Sequence, residues 1–143
     1  MIRRMEPADL DAAAKLWLEA NLQAHAFIAP SYWEKNYAPV REQLAGAEVY
    51  VWAESGEILG LLGLQGEEVA GLFVRDTARG RGIGKELLDF VKRRRTRLIL
   101  RVYARNPRAA AFYRREGFCC LRRETDPATG EAEDVLVWSH RAG

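Results

Sequence analysis

The spacing of apolar and polar positions changes several times along the chain, and each change marks an element. Ile2 to Met5 reads as a short strand. Pro7-Ala8-Asp9 then opens a helix whose apolar stripe is Leu10, Ala13, Ala14, Trp17 and Leu18, fading near Asn21 to Ala24. The connector His25-Ala26-Phe27-Ile28-Ala29-Pro30 is apolar for a loop. Ser31 is placed to cap a second helix over roughly Tyr32 to Leu44, with Glu34 as its capping-box partner, and Pro39 should kink or divide it. From Glu48 the alternation is that of strands: Glu48 to Ala53 and Ile58 to Leu64 predict a hairpin around Glu54-Ser55-Gly56-Glu57. After Gln65-Gly66-Glu67 comes a third strand ending at Val74, and its unbroken run Val69-Ala70-Gly71-Leu72-Phe73-Val74 predicts burial on both faces.

Helical spacing returns at Ile83, Leu87, Phe90 and Val91, predicting a helix from about Gly84 to Arg95. Leu98 to Tyr103 is the next strand. A crossover through the helix leads to it, so it should run parallel to its partner. Asn106-Pro107 starts a further helix, with asparagine at the N-cap and proline at the first helical position, running to Glu116 with Gly117 as its stop. Phe118 to Arg122 and Asp134 to Ser139 predict a closing strand pair around the turn Asp126 to Gly130. No repeat, low-complexity tract or linker interrupts this order. Residues 1–143 are therefore expected to form a single domain of mixed α/β class, a mostly antiparallel sheet flanked by helices.

Composition narrows the choice of partner. The chain has 143 residues, 48% of them hydrophobic and 29% charged, which is globular and long enough for a full core. A net charge of +2 is too small to argue for nucleic acid or a membrane as the partner. Cys119 and Cys120 are adjacent and the two histidines lie far apart, so neither a disulfide framework nor a metal site is expected. The N-terminus lacks a signal-peptide core and no run is long enough to span a bilayer, which points to the cytoplasm.

The chemistry gathers where the third strand breaks into Arg75-Asp76-Thr77-Ala78 and then Arg79-Gly80-Arg81-Gly82-Ile83-Gly84-Lys85. Glycines let a backbone approach a ligand, helix-start N–H groups have no internal partner, and the helix dipole favours an anion there. A phosphate-bearing cofactor is expected. The spacing excludes the dinucleotide fingerprint, because the residue three after Gly82 is Lys85. It also excludes a Walker loop, because Gly84-Lys85 is followed by Glu86. The basic run Lys92 to Arg97 reads first as a solvated helix end complementing the dipole, with contact to a cofactor phosphate or to nucleic acid as the lesser alternative.

What the stretch does match is Arg79-x-x-Gly82-x-Gly84, which resembles the R/Q-x-x-G-x-G/A pyrophosphate loop of the GNAT acetyl-CoA-dependent N-acetyltransferases. Asn106 to Phe118 is similar to that family's N-x-x-A-x-x-F/L-Y-x-x-x-G-F segment, and the order of elements extends the resemblance over nearly the whole chain. The resemblance implies the GNAT fold, acetyl-CoA as cosubstrate, and transfer of acetyl to a primary amine by direct attack. It implies that the backbone of Leu72, Phe73 and Val74 pairs with the pantetheine arm, and that a bulge at Gly71 exposes an N–H to the thioester carbonyl. The amides from Gly80 through Arg81, Gly82, Ile83 and Gly84 to Lys85 would take the pyrophosphate. Arg79, Arg81 and Lys85 would either reach phosphate oxygens or stay solvated. Asn106 would both cap its helix and reach the cofactor or a water.

Tyr113 is either a core aromatic or, as the resemblance implies, the general acid for the departing thiolate. A phenol of pKa ~10 has a proton to give, and a thiolate of conjugate pKa ~8.5 will take it if positioned. Some ribosomal-protein acetyltransferases carry a catalytic glutamate five residues before the asparagine; this chain has Arg101 there. Glu67 and Glu68 are the nearest carboxylates in sequence, and the base stays open. His25, Phe27, Ile28, Tyr32 and Trp33 form a candidate acceptor wall or else staple the helices to the sheet. Short bacterial family members with a similar H-x-F-I…YW segment include lysine acetylators, so protein lysine, an N-terminus and a small amine are all possible acceptors. The missing glutamate leaves room for a non-catalytic acyl-CoA sensor, with a nucleic-acid-binding module a distant third.

Overall fold

The computed structural model describes residues 1–140, so the last three positions of the expected domain lie outside the described residues. Among the described residues there are seven strands: β1 (Ile2–Arg4), β2 (Glu48–Glu54), β3 (Glu57–Gln65), β4 (Glu68–Val74), β5 (Arg97–Tyr103), β6 (Cys119–Thr125) and β7 (Ala132–Ser139). The helices are α1 (Leu10–Ala24), α2 (Pro30–Lys35), α3 (Tyr37–Ala45), α4 (Ile83–Lys92) and α5 (Pro107–Arg115). The strands form one sheet in the order β1-β2-β3-β4-β5-β7-β6. Every pairing is antiparallel except that of β4 with β5, the pair joined by the α4 crossover. Among the described residues no helix is long and apolar enough to cross a membrane.

Two cores sandwich the sheet. On one face, Leu62, Leu64 and Val69 of the sheet meet Ile83, Leu87, Leu88 and Val91 of α4, with Tyr113 and Phe118 beside them. On the other, Val49, Val51, Ile58 and Leu61 meet Ala13, Ala14 and Leu16 of α1 and Leu44 of α3. Full burial of each leucine contributes about 1.5–3 kcal/mol. Gly60 sets the distance between α4 and β3: a Cβ there would lie 2.8 Å from Ile83 Cγ2 and 3.1 Å from Leu87 Cδ1. Gly60→Val should therefore cost about 1–3 kcal/mol by overpacking. Urea unfolding checks this, and an unchanged midpoint would mean that α4 yields freely.

Five sequence expectations need correction. The strand buried on both faces is β3, from Ile58 to Leu64; in β4 only Val69 is buried. The long apolar run of β4 lines an opening instead. Ser31 does not cap α2, since Ala29 holds that position and Pro30 begins the helix. The expected second helix is divided at Asn36, ahead of Pro39. Pro39 sits in the first turn of α3, where its missing N–H costs nothing. The helix expected to reach Arg95 stops at Lys92, and Leu16, outside the predicted stripe of α1, is buried.

Candidate active site

β4 and β5 pair only at Glu68 and Ile99, where the Ile99 N–H donates to the Glu67 carbonyl at 3.0 Å. A parallel pair of two seven-residue strands would ordinarily be stitched along its length. Here the strands part, leaving the backbone of Leu72, Phe73 and Val74 without a neighbour on that side. A groove of about 990 Å³ opens, with these three residues on one wall and Asn106, Ala109, Phe112 and Tyr113 on the other. The register of β4 against β3 slips by one residue between Val69 and Gly71, leaving Ala70 as the extra residue. The bulge expected at Gly71 thus begins one position earlier.

The groove ends at the start of α4. After a short 3-10 turn at Asp76–Ala78, the chain passes Gly80 (φ 81°) and Gly82 (φ 76°), both left-handed, and Gly82 caps the helix. Glycine adopts this backbone without strain. The first amide of α4 with a helical acceptor is that of Glu86, donating to the Gly82 carbonyl at 3.0 Å, so those of Ile83, Gly84 and Lys85 lack one. Arg79, Gly80, Gly82, Ile83, Gly84 and Lys85 line the groove. Such a fan of amides at a helix start can hold a phosphate anion. Arg81 faces elsewhere: its guanidinium grips Glu54 at 2.8 Å. Arg79 lies 3.4 Å from Asp76, and the Lys85 ammonium binds Asp89 at 3.0 Å and Glu116 at 3.4 Å, with Asp89 chiefly holding its pKa above the ordinary lysine range. Arg108 and Arg115 of α5 add positive charge to the groove. Their contribution was not apparent from the sequence, because they face it only once α5 is laid across its mouth.

Tyr113 lines the same groove with its ring buried against Phe112 (5.2 Å between centroids) and Phe118 (5.6 Å). Burial pushes its phenol well above the ordinary tyrosine value, so it keeps its proton at neutral pH. Asn106 caps α5, its side-chain oxygen accepting from the Ala109 N–H at 3.3 Å, and its Nδ2 lies 3.2 Å from His25 Nε2.

His25 is the only member of the apolar connector that lines the groove; Phe27, Tyr32 and Trp33 do not. They form an aromatic stack beside it. Trp33 lies face-on to His25 at 5.6 Å, Phe27 and Tyr103 meet His25 edge-on at 5.6 and 5.0 Å, and Tyr32 stands edge-on to Trp33 at 4.9 Å. Ile28 is buried. Tyr103, which the sequence marked only as a strand end, donates its hydroxyl to Asp126 at 2.6 Å. Glu133 pairs across the sheet with Tyr103, and its carboxyl is raised above the ordinary glutamate range, first by burial and then by Asp126. Glu68 is engaged by Arg101 at 2.7 Å, and Glu67 lies 3.8 Å from Arg97.

Three residues of the basic run at the end of α4 are spent on the fold. The Lys92 amine donates to the Glu116 carbonyl, Arg94 stacks on Phe90 at 3.5 Å, and Arg95 binds Glu48 at 2.8 Å.

The same architecture occurs in known proteins. A family model for the acetyltransferase (GNAT) domain matches residues 45–120. Peptidyl-lysine N-acetyltransferase YiaC of Escherichia coli is 38% identical over 135 residues, covering 90% of this chain and 92% of that one. The solution structure of apo YjaB from Escherichia coli superposes with a TM-score of 0.87 at 24% identity, covering 99% of this chain and 98% of that one. The PaiA N-acetyltransferase of Thermoplasma acidophilum, solved in complex with coenzyme A, superposes with a TM-score of 0.78 at 17% identity over 98% of both chains. The parted strands, the amide fan and the two sequence segments thus belong together, and this chain is a member of the GNAT acetyltransferases, enzymes that move an acetyl group from acetyl-CoA to an amine.

Proposed function

We propose that this enzyme acetylates lysine side chains of proteins, working as one domain in the cytoplasm, and that the groove between β4 and α5 is its acetyl-CoA site. The observation that carries this reading is the parting of β4 from β5 directly ahead of the amide fan of α4. The pantetheine arm takes the place of the missing strand along Leu72–Val74. The pyrophosphate rests on the amides from Gly80 to Lys85, and Arg79, Arg108 and Arg115 supply charge around it. The acyl sulfur then lies near Tyr113. The amine attacks the thioester carbon, the tetrahedral intermediate expels the thiolate, and the Tyr113 hydroxyl donates to that thiolate as it leaves.

Lysine as the acceptor is supported by the named activity of the relative above and by charge. Burial first, then Asp126 and Glu133, push the Tyr32 phenol above its ordinary value, so carboxylates and aromatic rings share the ground next to His25. That combination suits a long cationic side chain, with the methylenes against the rings and the ammonium near the acids. Glu133, opposite Tyr103 on the neighbouring strand and outside the groove lining, is the carboxylate we assign to take the amine proton, through water. The cytoplasmic setting is supported by Cys119 and Cys120, both free and exposed.

A CoA-release assay over an amine panel is the test. Lysine-bearing peptides should turn over faster than peptides whose only free amine is the N-terminus and faster than small amines. A preference for either of the others would overturn the acceptor assignment. Tight CoA binding with no turnover on any amine would favour the sensor reading.

A further inference from the structure

One hydrogen-bonded relay at the mouth of the groove has a determined polarity. At one end the Ala109 backbone N–H, which can only donate, requires the oxygen of Asn106 (3.3 Å). Asn106 must then present its NH2 group to His25 Nε2 (3.2 Å), which must accept. The ring proton is thereby placed on Nδ1, which donates to the Asn21 oxygen at 2.9 Å. Asn21, buried in α1, donates its own NH2 to the Trp17 carbonyl at 2.9 Å, and that group can only accept. Backbone groups at both ends leave each intermediate amide a single orientation and His25 a single tautomer.

We propose that His25 is a positioning residue for acetyl transfer: its Nε2 lone pair locks the Asn106 amide across 81 positions of sequence, and so holds the first turn of α5, the helix that carries Tyr113, square to the cofactor groove. The inference rests on the reading of the groove given above. Protonation of His25 would set two donors face to face at Asn106. Flipping that amide to relieve them would turn its NH2 onto the Ala109 N–H. Either way one end of the relay breaks.

The groups around the ring favour the uncharged form. α1 contributes Asn21, α2 contributes Trp33 with Tyr32 behind it, and the end of β5 contributes Tyr103. Arg105, which stacks on Phe27 at 4.8 Å, and Arg108 of α5 are cations, while the carboxylates Asp126 and Glu133 lie beyond Tyr103. Burial pushes the imidazole below its ordinary value, as this arrangement requires. Because the folded pKa lies below the unfolded one, the stability His25 contributes is complete above about 6.5 and is lost as pH falls from there towards the folded value.

The test compares His25→Gln, whose amide can accept from Asn106 and donate to Asn21 without titrating, with His25→Leu, which can do neither. At neutral pH His25→Leu should lose about tenfold to a hundredfold in kcat/KM, while His25→Gln stays within about threefold of the parent. The parent profile should fall on the acid side through a group below about 6.5, and in His25→Gln that fall should move to lower pH, leaving only the limb of the carboxylate base. Nitrogen-15 NMR of the imidazole in the unliganded parent should show the proton on Nδ1. A His25→Leu enzyme with parental kcat/KM and pH profile would overturn the proposal, as would a proton found on Nε2. The tautomer decides the matter even if no amine is turned over, in which case the reading of the enzyme's function would fail separately.

Discussion

Replacing Tyr113 with phenylalanine is expected to lower kcat about a hundredfold to ten-thousandfold, the usual worth of a positioned acid, while the affinity for CoA changes little. The substitution isolates the hydroxyl. Phenylalanine keeps the edge contacts with Phe112 and Phe118 that seat the ring, so α5 and the groove wall stay in place. What is lost is one O–H, which the proposed binding of acetyl-CoA puts where the thiolate leaves. Burial raises the phenol's pKa, so the group is fully protonated at every working pH but is a weaker acid than free tyrosine. Its contribution is therefore a hydrogen bond that strengthens as charge builds on sulfur, with full transfer following once the thiolate is formed. Steady-state kcat from CoA release, set beside a calorimetric Kd, measures the two effects separately. Parental kcat in the variant would remove Tyr113 from the chemistry.

Gly82→Val should act in the opposite way, weakening CoA binding about tenfold to a hundredfold. Gly82 sits at φ 76° with open space around its missing Cβ, so the penalty is conformational and not a clash. A β-branched residue held in this region costs about 1–3 kcal/mol. If the loop keeps its shape, the protein bears that strain and the new side chain projects into the space around the loop. If the loop relaxes, the amides of Ile83, Gly84 and Lys85 no longer converge. Both outcomes raise the calorimetric Kd. An unchanged Kd would show that the anion is not held by this turn.

The parts of the fold visible in the sequence were those set by local rules. Asn106-Pro107 announced α5, and Gly117, with φ 93°, stops it as expected. Arg79 to Lys85 marked the helix start that lines the groove, and the crossover through α4 made β5 parallel to β4. Long-range effects escaped. The apolar run of β4 is the same whether a strand is buried or lines a cavity; the parting from β5 decides between them, and nothing within the run encodes it. Arg81 was indistinguishable from Arg79 until the hairpin carrying Glu54 came beside it. The pairing of His25 with Asn106 and that of Tyr103 with Asp126 join segments that only the assembled sheet brings together.

An unpaired strand edge is ordinarily a hazard, because its open amides and carbonyls can template association with another chain. The open edge of β4 lies inside the sheet, flanked by β5 a few residues back and walled by α5. A foreign strand carrying side chains on both faces would collide with those walls before its backbone came into register. A slender unbranched arm would not. The geometry that exposes the edge would thereby screen what can reach it, admitting the proposed cofactor tail while denying a foothold to aggregation.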